Sequence, residues 1–175
     1  MRAFIALDVP EEFADDAAAM ARQLAAVARG RYLPRGNYHL TLAFLGEIGE
    51  AQARDAVAAL DAACAGAAAP ALRANGLGHF GKPHDATLWL GFEPLPELMG
   101  LAAAVRGELA AAGLAYDAKE FRPHLTLARR ARLPRGPLPE LLFPQETETR
   151  AVTLYKSTLA PDGATYKPLY TVELE

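Results

Sequence analysis

Hydrophobic and polar positions change their period several times along the chain, and each change marks an element. Phe4-Ile5-Ala6-Leu7 forms a short apolar strand. From Glu11 to Arg29 the apolar residues Phe13, Ala17, Met20, Leu24 and Val27 recur at the spacing of an amphipathic helix. Pro10 suits its first turn, Glu11 and Glu12 its positive end, and Gly30 its stop. A strand then carries His39, Gly46 and Gly49 break the pattern, and a second helix from Ala51 to Ala65 presents Ala53, Val57, Leu60 and Cys64 on one face. The glycine-rich stretch Gly76 to Asp85 is predicted to be a loop, with His79 and His84 as ordinary loop residues.

From Ala86 the order repeats. Thr87 to Gly91 is a strand, and Glu97 to Ala112 a helix with Leu98, Leu101, Val105 and Leu109 inward and Gly113 as its terminator. A strand bearing His124 follows, then a proline-rich segment, Pro134 to Pro144, with one short helical piece. Two final strands, Ala151 to Leu159 and Tyr166 to Leu174, flank a Pro161-Asp162-Gly163 turn. The prediction is an α+β fold produced by internal duplication: a single bilobal domain with approximate halves 1–85 and 86–175. Each lobe would be an antiparallel sheet with outer helices, and the two would face a central cleft.

The duplication is sharpest in the tetrapeptide His-Leu-Thr-Leu, at His39 to Leu42 and again at His124 to Leu127. Both copies alternate polar with apolar, so on a strand His39 and Thr41 share one face, as do His124 and Thr126, with the leucines in the core. One histidine on a strand is more often structural than catalytic; two in matching contexts reverse that expectation. Imidazole titrates near pH 6.5, so one ring can accept a proton while the other gives one, which hydrolysis of a phosphodiester requires. The threonine hydroxyls are placed to donate to phosphoryl oxygens. A two-histidine metal site is the competing reading, but no third ligand is marked by spacing, so neither metal nor other cofactor is expected.

Composition narrows the setting. With 175 residues the chain can bury roughly 70% of its unfolded surface. Its single cysteine, Cys64, rules out an internal disulfide and fits the cytoplasm. No stretch approaches a membrane span, and the start lacks the pattern of a signal peptide. The net charge of −3 argues against wrapping a nucleic-acid backbone at large but not against holding one phosphate. Positive charge gathers at Arg29, Arg31 and Arg35 and at Arg129, Arg130, Arg132 and Arg135, each group near one copy of the repeat. Most of these are expected to be solvated, one or two to meet phosphate.

The chain resembles the 2H phosphoesterase superfamily, and within it the RNA 2′,3′-cyclic phosphodiesterases long called 2′,5′ RNA ligases. The likeness rests on Arg2-Ala-Phe-Ile-Ala-Leu-Asp, Asn37-Tyr-His-Leu-Thr-Leu-Ala-Phe-Leu-Gly, Arg122-Pro-His-Leu-Thr-Leu-Ala-Arg, and Leu154-Tyr-Lys-Ser-Thr-Leu followed by Gly163 and Tyr166. It implies that His39 donates and His124 accepts the proton as a 2′,3′-cyclic phosphate opens to a 2′-phosphate. Thr41 and Thr126 would hold phosphoryl oxygens, Phe44 would stack a base or wall the cleft, and Arg129 would bind phosphate. Phe44 and Arg129 each lie five residues past their histidine, so an ideal strand turns them away; Arg130 then faces the cleft unless a bulge intervenes. Where relatives often carry Trp before the first motif, this chain has Tyr32. The expected partners are RNA 3′ ends or nucleotides with a 2′,3′-cyclic phosphate, no membrane, and a monomeric protein. A non-catalytic RNA-end or nucleotide-binding module and a phosphodiesterase for another small cyclic phosphate are the alternatives.

Overall fold

The computed structural model describes all 175 residues. In chain order the elements are β1 (Arg2–Asp8), α1 (Glu11–Ala25), β2 (Arg29–Tyr32), β3 (His39–Glu47), α2 (Glu50–Cys64), β4 (Ala71–Leu72), β5 (Ala74–Lys82), β6 (Asp85–Phe92), α3 (Pro96–Ala111), β7 (His124–Arg132), β8 (Thr147–Glu148), β9 (Ala151–Ala160) and β10 (Gly163–Glu173). Two four-stranded antiparallel sheets carry the architecture, ordered β10-β9-β1-β3 and β2-β7-β6-β5; β4 and β8 form a separate two-stranded pair. The α+β class is therefore as the patterning predicts.

The division into lobes does not follow the midpoint of the chain. β1 and β3 share a sheet with the C-terminal hairpin β9–β10, while β2 and β5 lie in the other sheet with β6 and β7. One apolar core runs from β1 and β3 through all three helices to β6 and β7, with Ile5, Leu24, Leu42, Leu60, Leu90, Leu109 and Leu125 fully covered. No helix is long and apolar enough to cross a membrane.

Three expectations need correction. α1 ends at Ala25, not Arg29, and Gly30 is part of β2: a Cβ there would stand 2.9 Å from the Cα of Ala131, so glycine allows β2 to approach β7. The predicted loop at Gly76 to Asp85 is mostly the strand β5, closed by a turn into β6; His79 lies exposed on the strand and His84 in the turn. Its glycines disguise it, yet Gly78 is required, since a Cβ would collide with the Trp89 ring. The helical piece at Pro134 to Pro144 does not form. Pro134, Pro137, Pro139 and Pro144 lack the donor a helix needs and push the preceding residue toward extended backbone.

Candidate active site

His39 opens β3 and His124 opens β7, and these two strands pack beside each other where the sheets meet. The burial pattern starts the same way on both, with half-buried His and Thr separated by leucines at 0% exposure. In both strands the alternation then breaks at one place. Thr41 pairs with Ala6 and Ala43 with Ile5, leaving Leu42 as an extra residue; Thr126 pairs with Trp89 and Ala128 with Leu88, leaving Leu127 as the extra residue. Two adjacent residues, Leu42–Ala43 and Leu127–Ala128, therefore turn into the core. This bulge resets the parity, so that Phe44 and Arg129 return to the face of the histidines. The carbonyl of Leu42 accepts a hydrogen bond from Arg106 Nε at 3.0 Å, and Arg106 Nη1 donates to the Lys119 carbonyl at 2.7 Å, tying the outer edge of β3 to α3.

The histidines are held alike. His39 Nδ1–H donates to the Asn37 carbonyl at 2.8 Å, and His124 Nδ1–H to the Arg122 carbonyl at 2.5 Å. A carbonyl can only accept, so each ring carries its proton on Nδ1 and leaves Nε2 for a ligand. Asn37 is itself anchored to β10, its Nδ2 donating to the Ala164 carbonyl at 2.9 Å. His39 packs between Phe4, with centroids 4.7 Å apart, and the edge of Tyr166 at 5.1 Å. His124 meets the edge of Phe80 at 5.2 Å and lies 5.8 Å from Trp89. Below His39, Asp8 accepts hydrogen bonds from Tyr155 at 2.5 Å and Thr153 at 3.0 Å, fixing the Tyr155 ring that stacks on Phe4.

Burial disfavours the charged form of both imidazoles. His39 falls from 6.5 to about 4, chiefly by desolvation, with the charges of Arg129 and His124 pushing the same way against the favourable Asn37 carbonyl. His124 is lowered too, by desolvation first and by Arg129. Arg129 thus disfavours the imidazolium of both rings, and His124 that of His39.

Of the residues singled out in the sequence, Thr41, Phe44 and His124 line one cavity of about 370 Å³, together with Phe80, Arg106 and Phe121. Arg129 lines a second cavity of about 180 Å³, as do Arg130 and Tyr166; His39 lines neither cavity, and meets the second only through the Tyr166 ring beside it. Thr126 lines neither cavity and sits two residues beyond His124 on its strand. The threonine hydroxyls that bond within the protein are those of Thr149, Thr153 and Thr171 around Asp8; Thr41 and Thr126 make no side-chain hydrogen bond, which leaves their hydroxyls available. Arg2 caps the Phe44 ring at 4.6 Å. Sequence reasoning missed Phe80, Phe121, Arg106 and Trp89, none of which carries a local signature; Phe4 and Tyr155 figured only inside the opening and closing motifs, with no role assigned. Tyr166 figured in the sequence only as part of the closing motif; nothing there marked its contact with His39. No three His, Cys, Asp or Glu side chains gather around a common point. The donors present, imidazole, hydroxyl and guanidinium, suit an anion held between two proton carriers.

The same constellation is built twice, on neighbouring strands of the two sheets, and the chain belongs to the 2′-5′ RNA ligase superfamily, whose model matches residues 9–159. Among its relatives, an RNA 2′,3′-cyclic phosphodiesterase of Thermotoga maritima is 33% identical over 181 aligned residues, covering 100% of this chain and 96% of that one. A crystal structure from Thermus thermophilus matches with a TM-score of 0.84 and 30% identity, over 99% of this chain and 98% of that one. The crystal structure of Escherichia coli LigT complexed with 3′-AMP matches with a TM-score of 0.81 and 30% identity, over 99% and 97%.

Proposed function

We propose that the protein hydrolyses the 2′,3′-cyclic phosphate of an RNA 3′ end or a nucleotide to a 2′-phosphomonoester, without metal. The observation that carries this reading is the pair of equivalent imidazoles, each with Nδ1–H tied to the carbonyl two residues before it and Nε2 left free. Water attacks phosphorus as His124 Nε2 takes its proton; the bond from phosphorus to the 3′ oxygen breaks as His39 Nε2–H protonates that oxygen. Thr41, Thr126 and Arg129 take the charge that builds on the phosphoryl oxygens. His39 is the more strongly depressed ring, so it gains its proton together with the anionic substrate, whose charge favours the imidazolium. The name and near-complete overlap of the Thermotoga maritima relative support the substrate class. With a 5′-hydroxyl in place of water, the same transfers form a 2′,5′ linkage.

The test is to incubate the protein with 2′,3′-cyclic AMP in EDTA and identify which hydroxyl keeps the phosphate. The 2′-monophosphate is expected, and His39→Ala or His124→Ala should each slow turnover by roughly 10²- to 10⁴-fold. Undiminished turnover in either variant would overturn the assignment.

A further inference from the structure

The two arginine groups that stand far apart in the sequence become neighbours in the fold. β2 pairs antiparallel with β7 so that Arg31 lies opposite Arg129 and Arg29 opposite Arg132. Like charges placed directly across a strand pair repel; all four side chains are exposed, so water and salt screen most of that repulsion, and an anion seated between them would remove the rest. None of these arginines makes an ion pair within the protein, whose ion pairs run from the N-terminus, Arg35, Arg73, Lys119 and Arg150. Arg31, Arg129 and Arg130 instead line the cavity of about 180 Å³, with Asn37, Tyr166 and a single acid, Asp162.

The backbone is also set specially here. Arg130 has φ +49°, the only positive φ outside glycine, where β7 bulges against both neighbours. A bulky residue held in the left-handed region is uncommon, and it sits where its side chain joins a cationic wall. Tyr166 forms part of this wall and touches the His39 ring, so the cavity begins one side chain away from the imidazole pair.

Resting on the function proposed above, we propose that this cavity is a second phosphate subsite, which takes the phosphodiester joining the terminal nucleotide of an RNA strand to its 5′ neighbour. Arg31 and Arg130 are its specificity residues, while Arg129 faces both this phosphate and the cyclic one. The protein then favours RNA ends over free cyclic mononucleotides.

Titration calorimetry decides between outcomes, with adenosine 2′-monophosphate and the dinucleotide ApA carrying a 2′-phosphate as probes, on the wild type, Arg31→Gln and Arg130→Gly. The glycine suits the left-handed backbone, so that variant keeps its fold. The wild type should bind the dinucleotide roughly ten-fold more tightly. Each variant should lose most of that advantage, bind the monophosphate as before, and reduce the salt slope for the dinucleotide by about one. Equal affinity for the two ligands in the wild type, or equal losses for both in the variants, would overturn the subsite. Turnover of 2′,3′-cyclic AMP against the cyclic-ended dinucleotide should follow the same pattern. If neither is turned over, the hydrolytic reading fails while the calorimetry still judges the subsite; if neither probe binds, both fail.

Discussion

His39 offers a test of the cleft's electrostatics that needs no substrate. Unfolded, its ring takes up a proton as the pH falls through about 6.5. Folded, it holds out until about 4, because burial, Arg129 and His124 all disfavour the imidazolium. Between these values the unfolded state binds more protons, so stability rises with pH. The stability contributed by the neutral ring is fully present above 6.5 and is lost as pH falls toward 4. At pH 4 the linkage amounts to about 3 kcal/mol, a large part of the roughly 5–15 kcal/mol that holds a typical domain together. Urea unfolding at pH 7 and pH 4 should be compared for the wild type and His39→Gln, whose amide is neutral throughout. Carboxylates and His124 titrate in both proteins, so the variant should lose about 3 kcal/mol less between the two conditions. Equal losses would refute the burial argument for this ring.

Three other outcomes follow from the same geometry. Arg129→Gln removes a charge that lowers both imidazoles, so NMR titration should find both pKa values raised; unmoved values would separate Arg129 from the pair. With both rings depressed in the free protein, the bell of kcat/KM against pH should centre below 6.5, and a centre above 7 would contradict the assigned roles. Gly78→Ala forces a methyl into the Trp89 ring behind His124, which should cost about 1–3 kcal/mol by thermal or urea unfolding and slow turnover. An alanine variant as stable and active as the wild type would mean that Trp89 is free to move.

What the sequence reveals and conceals divides along physical lines. The three helices were legible because their apolar residues recur at a fixed interval, and the two motif strands because they alternate. The face shared by His39 with Thr41, and by His124 with Thr126, follows from parity alone. Phe44 and Arg129 defeat that rule, since a bulge is a property of the pairing with β1 and β6 and leaves no mark in composition. β5 hides behind glycines whose purpose is visible only once Trp89 lies over Gly78. The exchange of strands between lobes is likewise unreadable: β2 meets β7 across a long separation, and no local pattern names a distant partner.

That exchange governs how the molecule can be taken apart. A break in the turn between Lys82 and Asp85 would produce an N-terminal piece with β1 stripped of β9 and β2 and β5 stripped of β7 and β6, and a C-terminal piece with the complementary vacancies. Neither fragment would own a complete sheet, and each would present bare strand edges that invite clumping. Mixed together, they could satisfy those edges only by rebuilding both sheets at once, so the nicked protein should reassemble as a whole or not at all.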